Sequence, residues 1–219
     1  MTIALSTLSS RLQGDVAARN SVPSSTQYEQ CVRDAVADFS RRAPMQKVTT
    51  IAVVSGTASY ALPADFMKII RFALALNVQA GILNTASGII PVAGTFKERV
   101  MVQGNALVIY PTPLYTMTRE LWYMAGYVLD SSYSYPDLTD EAASIVMLKA
   151  RAEAMGLQAN DAAKESWSYT IGDESVTKTN LGPQMREQVK AVETQYLAAV
   201  SKYIGQGIAR GEAPSTFTV

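Results

Sequence analysis

The chain has 219 residues, of which 48% are apolar, and its 19 basic residues balance its 19 acidic ones. This length is enough to bury a substantial core, and a formal charge of zero argues against a protein dedicated to binding nucleic acid. The chain has no His and a single Cys, Cys31, which excludes the commonest general base, an internal disulfide and a cysteine-rich metal site. No run of 18 apolar residues occurs, so we expect no membrane-spanning segment.

Two helices are predicted at the start of the chain. Leu5, Leu8 and Leu12 have the 3,4 spacing of a short amphipathic helix. The stretch STQYEQCVRDAVADFSRRAP predicts a longer helix, with Thr26 and Glu29 at capping-box spacing near its beginning. The apolar stripe that we expect to face the core of this helix includes Val32, Val36 and Phe39.

Between residues 46 and 137 the apolar pattern changes from a helical period to the alternation of strands. Six β-branched or aromatic runs follow one another, separated by clusters of Gly, Pro, Asn and Ser. We therefore predict a β-rich domain over 46–137. The runs are KVTTIAVV, ASYAL, MKIIRFALAL, ERVMVQG, ALVIYP and RELWYMAGYVL.

One segment of this region, GILNTASGIIPVAGT at 81–95, is uncharged and rich in small residues. This composition is typical of a long hairpin arm or a projecting loop that has little core of its own. Apolar side chains on such an arm imply a partner surface. The candidate partner-binding residues of the arm are Ile82, Leu83, Ile89 and Ile90.

A helical period returns in the last third of the chain. Ile145, Leu148, Ala152 and Met155 form a stripe with 3,4,3 spacing. A second stripe belongs to a predicted helix over 183–204, and it needs a partner because each large side chain contributes about 1.5–3 kcal/mol only when buried. That stripe consists of Met185, Val189, Val192, Tyr196, Ala199 and Tyr203.

The predicted fold class is α+β. Segments 1–45 and 138–205 are expected to pair as an antiparallel helical bundle from both chain ends, with 46–137 as the inserted β-rich segment. The residues expected in the bundle core are Val32, Val36, Phe39, Ile145, Leu148, Met155, Val189, Val192 and Tyr196.

Residues 206–219 are expected to form an extended C-terminal arm. Gly205 and Gly207 allow the chain to leave the helix direction, and Pro214 favours extended backbone before it. The terminal Thr-Phe-Thr-Val alternates polar and apolar residues, which suits the addition of a strand to a neighbouring sheet. The candidate partner-binding anchors of this arm are Ile208, Phe217 and Val219.

The sequence contains no motif for catalysis or cofactor binding. Its glycines do not assemble into G-x-G-x-x-G or a P-loop. Two acidic pairs, Asp140–Glu141 and Asp173–Glu174, are adjacent in sequence, and neighbours on a helix point about 100° apart, so neither pair converges on one ligand. We therefore expect no enzyme, no catalytic residue, no metal ligand and no cofactor.

Six of the eleven tyrosines lie between residues 110 and 135. Tyr combines an apolar body with a polar edge, which favours it at protein interfaces. A sheet with one half-wet face has the same composition, so both interpretations stay open. The six are Tyr110, Tyr115, Tyr123, Tyr127, Tyr133 and Tyr135.

An ordered set of motifs extends from residue 26 to residue 205: DFSRRAP at a helix end, SYALPADFMKII, LVIYPTP, LWYMAGY, and a helix beginning TDEAASIVMLKARAEA. In this order they resemble the head–tail connector (adaptor) proteins of tailed bacteriophages. The β-rich middle and the 81–95 arm are longer than in short adaptors and suit a larger one. In this framework SYALPADFMKII is a structural corner, in which Pro63 turns the chain and Asp65 accepts local backbone hydrogen bonds. The corner residues are Tyr60, Leu62, Pro63, Asp65 and Phe66.

The resemblance implies a structural virion protein that forms a homo-oligomeric ring, commonly of twelve copies, beneath the portal protein. The ring would join capsid to tail at the virion neck, after synthesis in the host cytoplasm. Its other partners would be tail, stopper or nozzle proteins, and DNA would pass through the channel without sequence-specific binding. The balanced charge fits this role, because a strongly basic lumen would bind phosphates.

Three alternatives remain open. The first is a tail-completion protein, a stopper or another virion structural protein. The second is a host-encoded helical adaptor without a viral role. The third is a small hydrolase, which the lack of His and of a nucleotide-binding loop disfavours.

Overall fold

The computed structural model of the chain describes residues 2–74, 99–164, 167–171, 174–178 and 182–209. It combines helices with antiparallel sheets, so the fold is α+β, as predicted. The chain divides into two compact units, a helical unit of Met1–Ala43 and Tyr127–Val219 and a β unit of Pro44–Gly126. The 81–95 arm and residues 210–219 of the expected C-terminal arm lie outside the described residues.

The elements follow one another in a simple order along the chain. They are β1 (Ile3–Ala4), α1 (Leu5–Asp15), α2 (Ser25–Arg42), β2 (Met45–Val53), β3 (Ser59–Ala61), β4 (Phe66–Leu74), β5 (Arg99–Gln103), β6 (Ala106–Tyr110), β7 (Met117–Ala125), β8 (Ser134–Tyr135), α3 (Asp140–Lys164), β9 (Trp167–Ile171), β10 (Glu174–Lys178) and α4 (Gly182–Ala209). The strands β2 to β7 coincide with the six predicted runs to within a few residues.

The β unit consists of two three-stranded antiparallel sheets, ordered β2–β7–β4 and β3–β6–β5. Its core contains Val53 and Leu121 from the first sheet and Leu107 and Ile109 from the second, all fully buried. These residues occupy alternate positions on their strands, as expected for a sheet that buries one face. The alternation of apolar residues that predicted the strands therefore also predicts which side of each strand faces the core.

The helical unit has α3 at its centre, because this helix packs against α1, α2 and α4. Buried residues consequently surround most of α3 and include Val146 and Ala150, which lie outside the predicted stripe. Leu148 and Met155, expected in the core, are only half-buried. A single apolar stripe is expected on a helix that packs against one neighbour. Helix α3 has three neighbours, so residues on several of its faces are buried.

The capping box of the long helix α2 lies two residues before the predicted one. Ser24 is the N-cap: its side chain accepts a hydrogen bond from Gln27 N, and Gln27 Oε1 accepts one from Ser24 N at 2.7 Å. Thr26 and Glu29 have the same spacing but lie inside the helix. Both pairs have the residue types and spacing of a capping box. Only Ser24 lies at the N-cap position, where the side chain can accept from the free N–H groups of the first turn.

The β unit ends at Gly126, well before the expected boundary at residue 137. Beyond it, the backbone N–H of Tyr127 donates to the buried Ser40 hydroxyl of α2 at 3.0 Å. The Tyr127 ring packs on Phe39 with centroids 5.4 Å apart, and β8 pairs with β1. These contacts attach the chain after Gly126 to the helical unit.

Two features near the C-terminal end differ from prediction. The stretch after α3 forms an antiparallel hairpin of β9 and β10, where no strand was expected. Helix α4 continues to Ala209 and passes both Gly205 and Gly207, so the first four residues of the expected extended arm, from residue 206, are helical. Glycine inside a helix costs only about 1 kcal/mol relative to Ala, which is too little to end a helix by itself.

Candidate functional site

The predicted structural corner lies where the chain crosses between the two sheets of the β unit. Strand β3 belongs to one sheet and β4 to the other, and Leu62, Pro63 and Asp65 lie between them. Leu62 is buried, and its backbone N–H donates to Asn105 O at 3.2 Å. The N–H of Phe66 donates to Pro63 O at 3.0 Å and closes the turn. The corner therefore holds the two sheets together.

The Asp65 carboxylate makes long-range contacts in place of the local backbone bonds we expected. Its Oδ2 accepts a hydrogen bond from Lys47 Nζ at 2.7 Å, and its Oδ1 accepts one from the Tyr123 hydroxyl at 3.1 Å. The Phe66 ring stacks on Tyr123 with centroids 5.8 Å apart. The backbone carbonyl of Asp65 also accepts from Gly126 N at 2.8 Å. The corner is thus attached to β2 and β7.

Tyr60 stabilises the turn that precedes the corner. Its hydroxyl accepts a hydrogen bond from Val54 N at 3.0 Å and lies 2.7 Å from the carbonyl oxygen of Thr57, to which it donates. Gly56 has a φ of +80°, in the left-handed region that favours glycine. The turn from Val54 to Thr57 is therefore held by a side chain of the next strand.

This turn is joined to the loop between β6 and β7. Ser55 Oγ donates to Leu114 O at 2.8 Å, and Gly56 N donates to Pro113 O, also at 2.8 Å. Four large apolar or aromatic side chains project from the joined loops, and we call them the apolar tip. They are Val54, Tyr110, Leu114 and Tyr115, which are 47%, 66%, 73% and 57% exposed.

The apolar tip has the properties of a preformed binding surface. Neither 54–59 nor 110–116 contains a charged residue, and the backbone hydrogen bonds between the loops are already made without a partner. Rigid aromatic and aliphatic groups lose little conformational entropy on binding. Of this surface, the sequence had indicated only Tyr110 and Tyr115, as members of the tyrosine cluster. Its signals are two prolines, Pro111 and Pro113, in an uncharged loop that still contains Leu and Tyr.

Three of the six clustered tyrosines are exposed and three are buried. Tyr110, Tyr115 and Tyr133 are 66%, 57% and 65% exposed. The other three are buried; they are Tyr123, Tyr127 and Tyr135. The buried group packs on a strand or against a helix, whereas the exposed group lies at the end of β6 (Tyr110) or in loops.

Helix α4 presents a second surface that the chain covers only in part. Tyr196 and Val200 are buried, whereas Leu197 and Ile204, seven residues apart and hence on one face, are 46% and 40% exposed. The other members of the predicted stripe are half-buried. The predicted stripe therefore lies on the buried side of α4, with Tyr196 as its most buried member. The neighbouring Leu197 and Ile204 stay partly exposed.

Tyr196 also joins α4 to α2 through a polar contact. Its hydroxyl donates to Asp38 Oδ2 at 2.9 Å, and Arg42 Nε lies 2.8 Å from the same oxygen. Burial opposes ionisation of Asp38, but the hydrogen bonds from Arg42 and Tyr196 outweigh it and hold the pKa of Asp38 below its usual value. Burial and the nearby Asp38 charge raise the pKa of Tyr196.

A cluster of charged groups lies between α2, α3 and α4. Lys149 Nζ is 3.1 Å from Glu193 Oε1 and 3.6 Å from Glu153 Oε1. Burial raises the pKa of Glu153 to about 7, an effect that Lys149 offsets in part and the Asp34 charge reinforces. Cys31 is buried, and burial raises its thiol pKa to about 11, as expected for a structural cysteine. The ion pair of Lys149 with Glu193 connects α3 to α4.

One of the predicted arm residues lies in a described helix, and the others lie outside the described residues. Ile208 lies in the last turn of α4. The remaining candidate anchors lie outside the described residues; they are Ile82, Leu83, Ile89, Ile90, Phe217 and Val219. Their partner-binding roles stay predictions.

Within the described ranges, no group of three or more His, Cys, Asp or Glu side chains is placed to hold a metal ion. None of the helices in the described part of the chain is long and apolar enough to cross a membrane.

Comparison with known proteins identifies the family. The comparison with curated proteins returned no match. Among solved structures, the chain is similar to one described as the neck of an empty GTA particle computed with C6 symmetry, with 14% identity over 84% of this chain and 87% of that one and a TM-score of 0.27. A likeness this distant does not bear on function.

The family profile described as SU10 adaptor protein matches residues 3–174. This range covers most of the chain and includes the corner, the apolar tip and the first three helices. The resemblance to connector (adaptor) proteins that the ordered motifs suggested is confirmed. The chain belongs to the SU10 adaptor protein family.

Proposed function

We propose that this protein is a head–tail adaptor of a tailed-phage virion, a structural protein without catalytic activity. Twelve copies form a ring beneath the portal, join the capsid to the tail at the neck and line the channel through which DNA passes. The portal binds one side of the ring, and tail, stopper or nozzle proteins bind the other. Membership of the adaptor family is the observation that carries this proposal.

The exposed surfaces of the described residues support an assembling protein. The apolar tip exposes Leu114 and Tyr115 on a rigid support, and α4 exposes Leu197 and Ile204 beside a buried seam. Exposed apolar patches of this kind mark protein–protein contacts in soluble proteins. Two separate patches suit a subunit that contacts other subunits of the ring and, at the same time, the portal or a tail protein.

We assign further contacts to the 81–95 arm and to the C-terminal arm. Residues 81–95 contact a neighbouring subunit or the tail, and the C-terminal arm docks on the portal. Deleting 84–94 is expected to leave the fold intact, by circular dichroism, and to impair ring assembly or tail attachment. Because α4 continues to Ala209, the arm is best removed after Ala209, which spares the helix. A normal yield of infectious virions from both deletions would show that neither segment makes a necessary contact.

The central test mixes the purified protein with purified portal. Native mass spectrometry and negative-stain images are expected to show a closed ring of adaptors on one end of the portal. A tail-completion or stopper protein would bind only after another neck protein is present. A protein that stays monomeric and unbound with portal alone and with assembled necks would contradict the adaptor role altogether.

A further inference from the structure

The sheet β2–β7–β4 has an outer face, opposite the core of the β unit. On β7 the buried Leu121 and Tyr123 alternate with the half-buried Trp122 and Met124, so the second pair points away from the core. Exposed side chains from β2 and β4 flank them. We define the outer sheet face as Val48, Lys68, Arg71, Trp122 and Met124.

The strand register makes these five residues neighbours. Trp122 lies opposite Val48 on β2 and opposite Arg71 on β4, and Met124 lies opposite Lys68. The indole Nε1 of Trp122 is 3.2 Å from Glu120 Oε2 and donates to it. Val48 is 47% exposed.

This composition matches that of protein–protein interfaces. Their centres are enriched in Trp, Met and Arg, with polar or charged groups at the rim. Trp and Arg also contribute disproportionately to binding energy. Here a Trp held by Glu120 lies between an aliphatic side chain and a guanidinium, so the face has both an apolar centre and a positive border.

Charge is distributed unevenly between the two units of the chain. The β unit contains six Lys or Arg and three Asp or Glu, whereas the rest of the chain contains thirteen and sixteen. The two units therefore have formal charges of +3 and −3, which the zero total conceals. In the helical unit, the exposed Asp137, Asp140 and Glu141 at the beginning of α3 are the densest acidic stretch among the described residues.

We propose that the outer sheet face binds the helical unit of a second copy of this chain, at the acidic beginning of α3. Each copy contributes its positive face to one neighbour and its negative surface to the other, and such a head-to-tail contact forms a ring when the rotation between copies closes. This inference rests on the proposed ring and states which surfaces make it. The charges set the pairing of subunits, and Val48 and Trp122 supply the apolar contact.

Duplex DNA is the other partner that a basic face with a Trp suggests. Lys68 and Arg71 are the only exposed cations on this face. The acidic Glu120 lies on the same face, because it is two residues from Trp122 along β7. DNA-binding proteins neutralise many phosphates, and a phosphate backbone offers nothing to Val48 or Met124. A second copy offers the exposed acidic residues at the beginning of α3 to these two cations.

The test uses charge reversal with rescue. One variant combines Lys68→Glu and Arg71→Glu, and the other combines Asp140→Lys and Glu141→Lys. Each alone is expected to weaken subunit association at least about tenfold, measured by analytical ultracentrifugation. An equimolar mixture of the two is expected to restore rings, because every contact again joins opposite charges. Arg99→Glu with Lys202→Glu, which changes charge equally elsewhere, is the control and is expected to assemble normally.

The outcomes separate this contact from the adaptor role itself. Restored rings in the mixture support the proposal and also show that both variants fold. Rings in each variant alone, or no rescue on mixing two folded variants, would overturn the proposed contact while leaving the adaptor role intact. Loss of DNA binding in the Lys68 and Arg71 variant with unchanged rings would assign the face to DNA instead. If the wild-type protein forms no ring, alone or with portal, the contact and the ring are both wrong.

Discussion

The hydroxyl of Tyr196 donates a 2.9 Å hydrogen bond to the carboxylate of Asp38. The two residues are 158 positions apart, and their contact joins the last helix of the chain to the second. Arg42 completes the contact, with its guanidinium carbon 6.0 Å from the centre of the Tyr196 ring. A buried hydroxyl between two helices is expected to contribute both stability and the alignment of α4.

Replacing Tyr196 with Phe is expected to lower the free energy of unfolding by about 1–2 kcal/mol, since it removes a hydrogen bond to an ionised acceptor. Urea denaturation measures this. Tyr203→Phe is the matched control on the same helix, because the Tyr203 ring packs on Phe39 and that contact survives the change. Equal losses in both variants would mean that the Asp38 bond contributes nothing specific.

In the β unit, Asp65→Ala is expected to cost about 1–3 kcal/mol, because Lys47 and Tyr123 both lose this acceptor inside a partly buried site. Glu187→Ala serves as comparison: its ion pair with Lys190 is more than two-thirds exposed on both sides, and such pairs contribute little. Thermal denaturation of both variants distinguishes the sites. Asp65→Ala with the midpoint of wild type would show that the corner is held by its backbone alone.

Protonation of Glu153 is expected to make stability depend on pH. Burial raises its pKa to about 7 in the folded chain, above the ordinary value of roughly 4.3 in an unfolded chain. The folded state therefore holds a proton that the unfolded state releases, and stability falls as pH rises between these two values. Above pH 7 the charged, buried Glu153 remains destabilising, near Asp34 and Asp38 on α2 and Lys149 on its own helix.

The Glu153→Gln variant is accordingly expected to be more stable than wild type at roughly pH 8 and to lose less stability between roughly pH 5 and pH 8. Melting temperatures across this range provide the measurement. Glu187→Gln, at an exposed position, is expected to follow the wild-type curve. Parallel curves for wild type and Glu153→Gln would show that Glu153 ionises normally.

Two leucines test which side of the helical unit is its core. Leu12→Ala is expected to cost about 2–5 kcal/mol, since Leu12 is completely buried. Leu148→Ala is expected to cost clearly less, because Leu148 is half-buried and leaves less of a cavity. Denaturant midpoints of the two variants rank them. A larger loss for Leu148 would place the centre of the core on the stripe that the sequence alone predicted.

The apolar tip is tested by changing Leu114 and Tyr115 together to Ser. Stability is expected to stay within about 0.5 kcal/mol of wild type, because both side chains are exposed, while binding to portal or tail protein weakens about tenfold or more. Met101→Ser with Val102→Ser changes two similarly exposed apolar residues on β5 and is the control. If the tip and β5 variants bind equally well, the tip is not a contact surface.

The pattern of apolar residues was sufficient to predict those elements that bury a single face. Val32, Val36 and Phe39 lie on one stripe of α2 and are buried as expected, and the strands of the β unit follow their alternation. Local periodicity carries this information because it depends only on residues a few positions apart. Separately, the ordered motifs between residues 26 and 205 resembled those of the adaptor family, to which the chain belongs.

Contacts between distant residues were decided by the tertiary structure alone. Asp65 binds Tyr123 across 58 positions, and no pattern around Asp65 distinguishes that partner from a nearby backbone N–H. Val146 and Ala150 are buried outside the predicted stripe because α3 has three neighbouring helices, a number that periodicity cannot report. The exposure of Leu114 likewise depends on a loop held by Ser55, 59 residues away. Periodicity shows that a face is buried, whereas its partners follow only from how the whole chain packs.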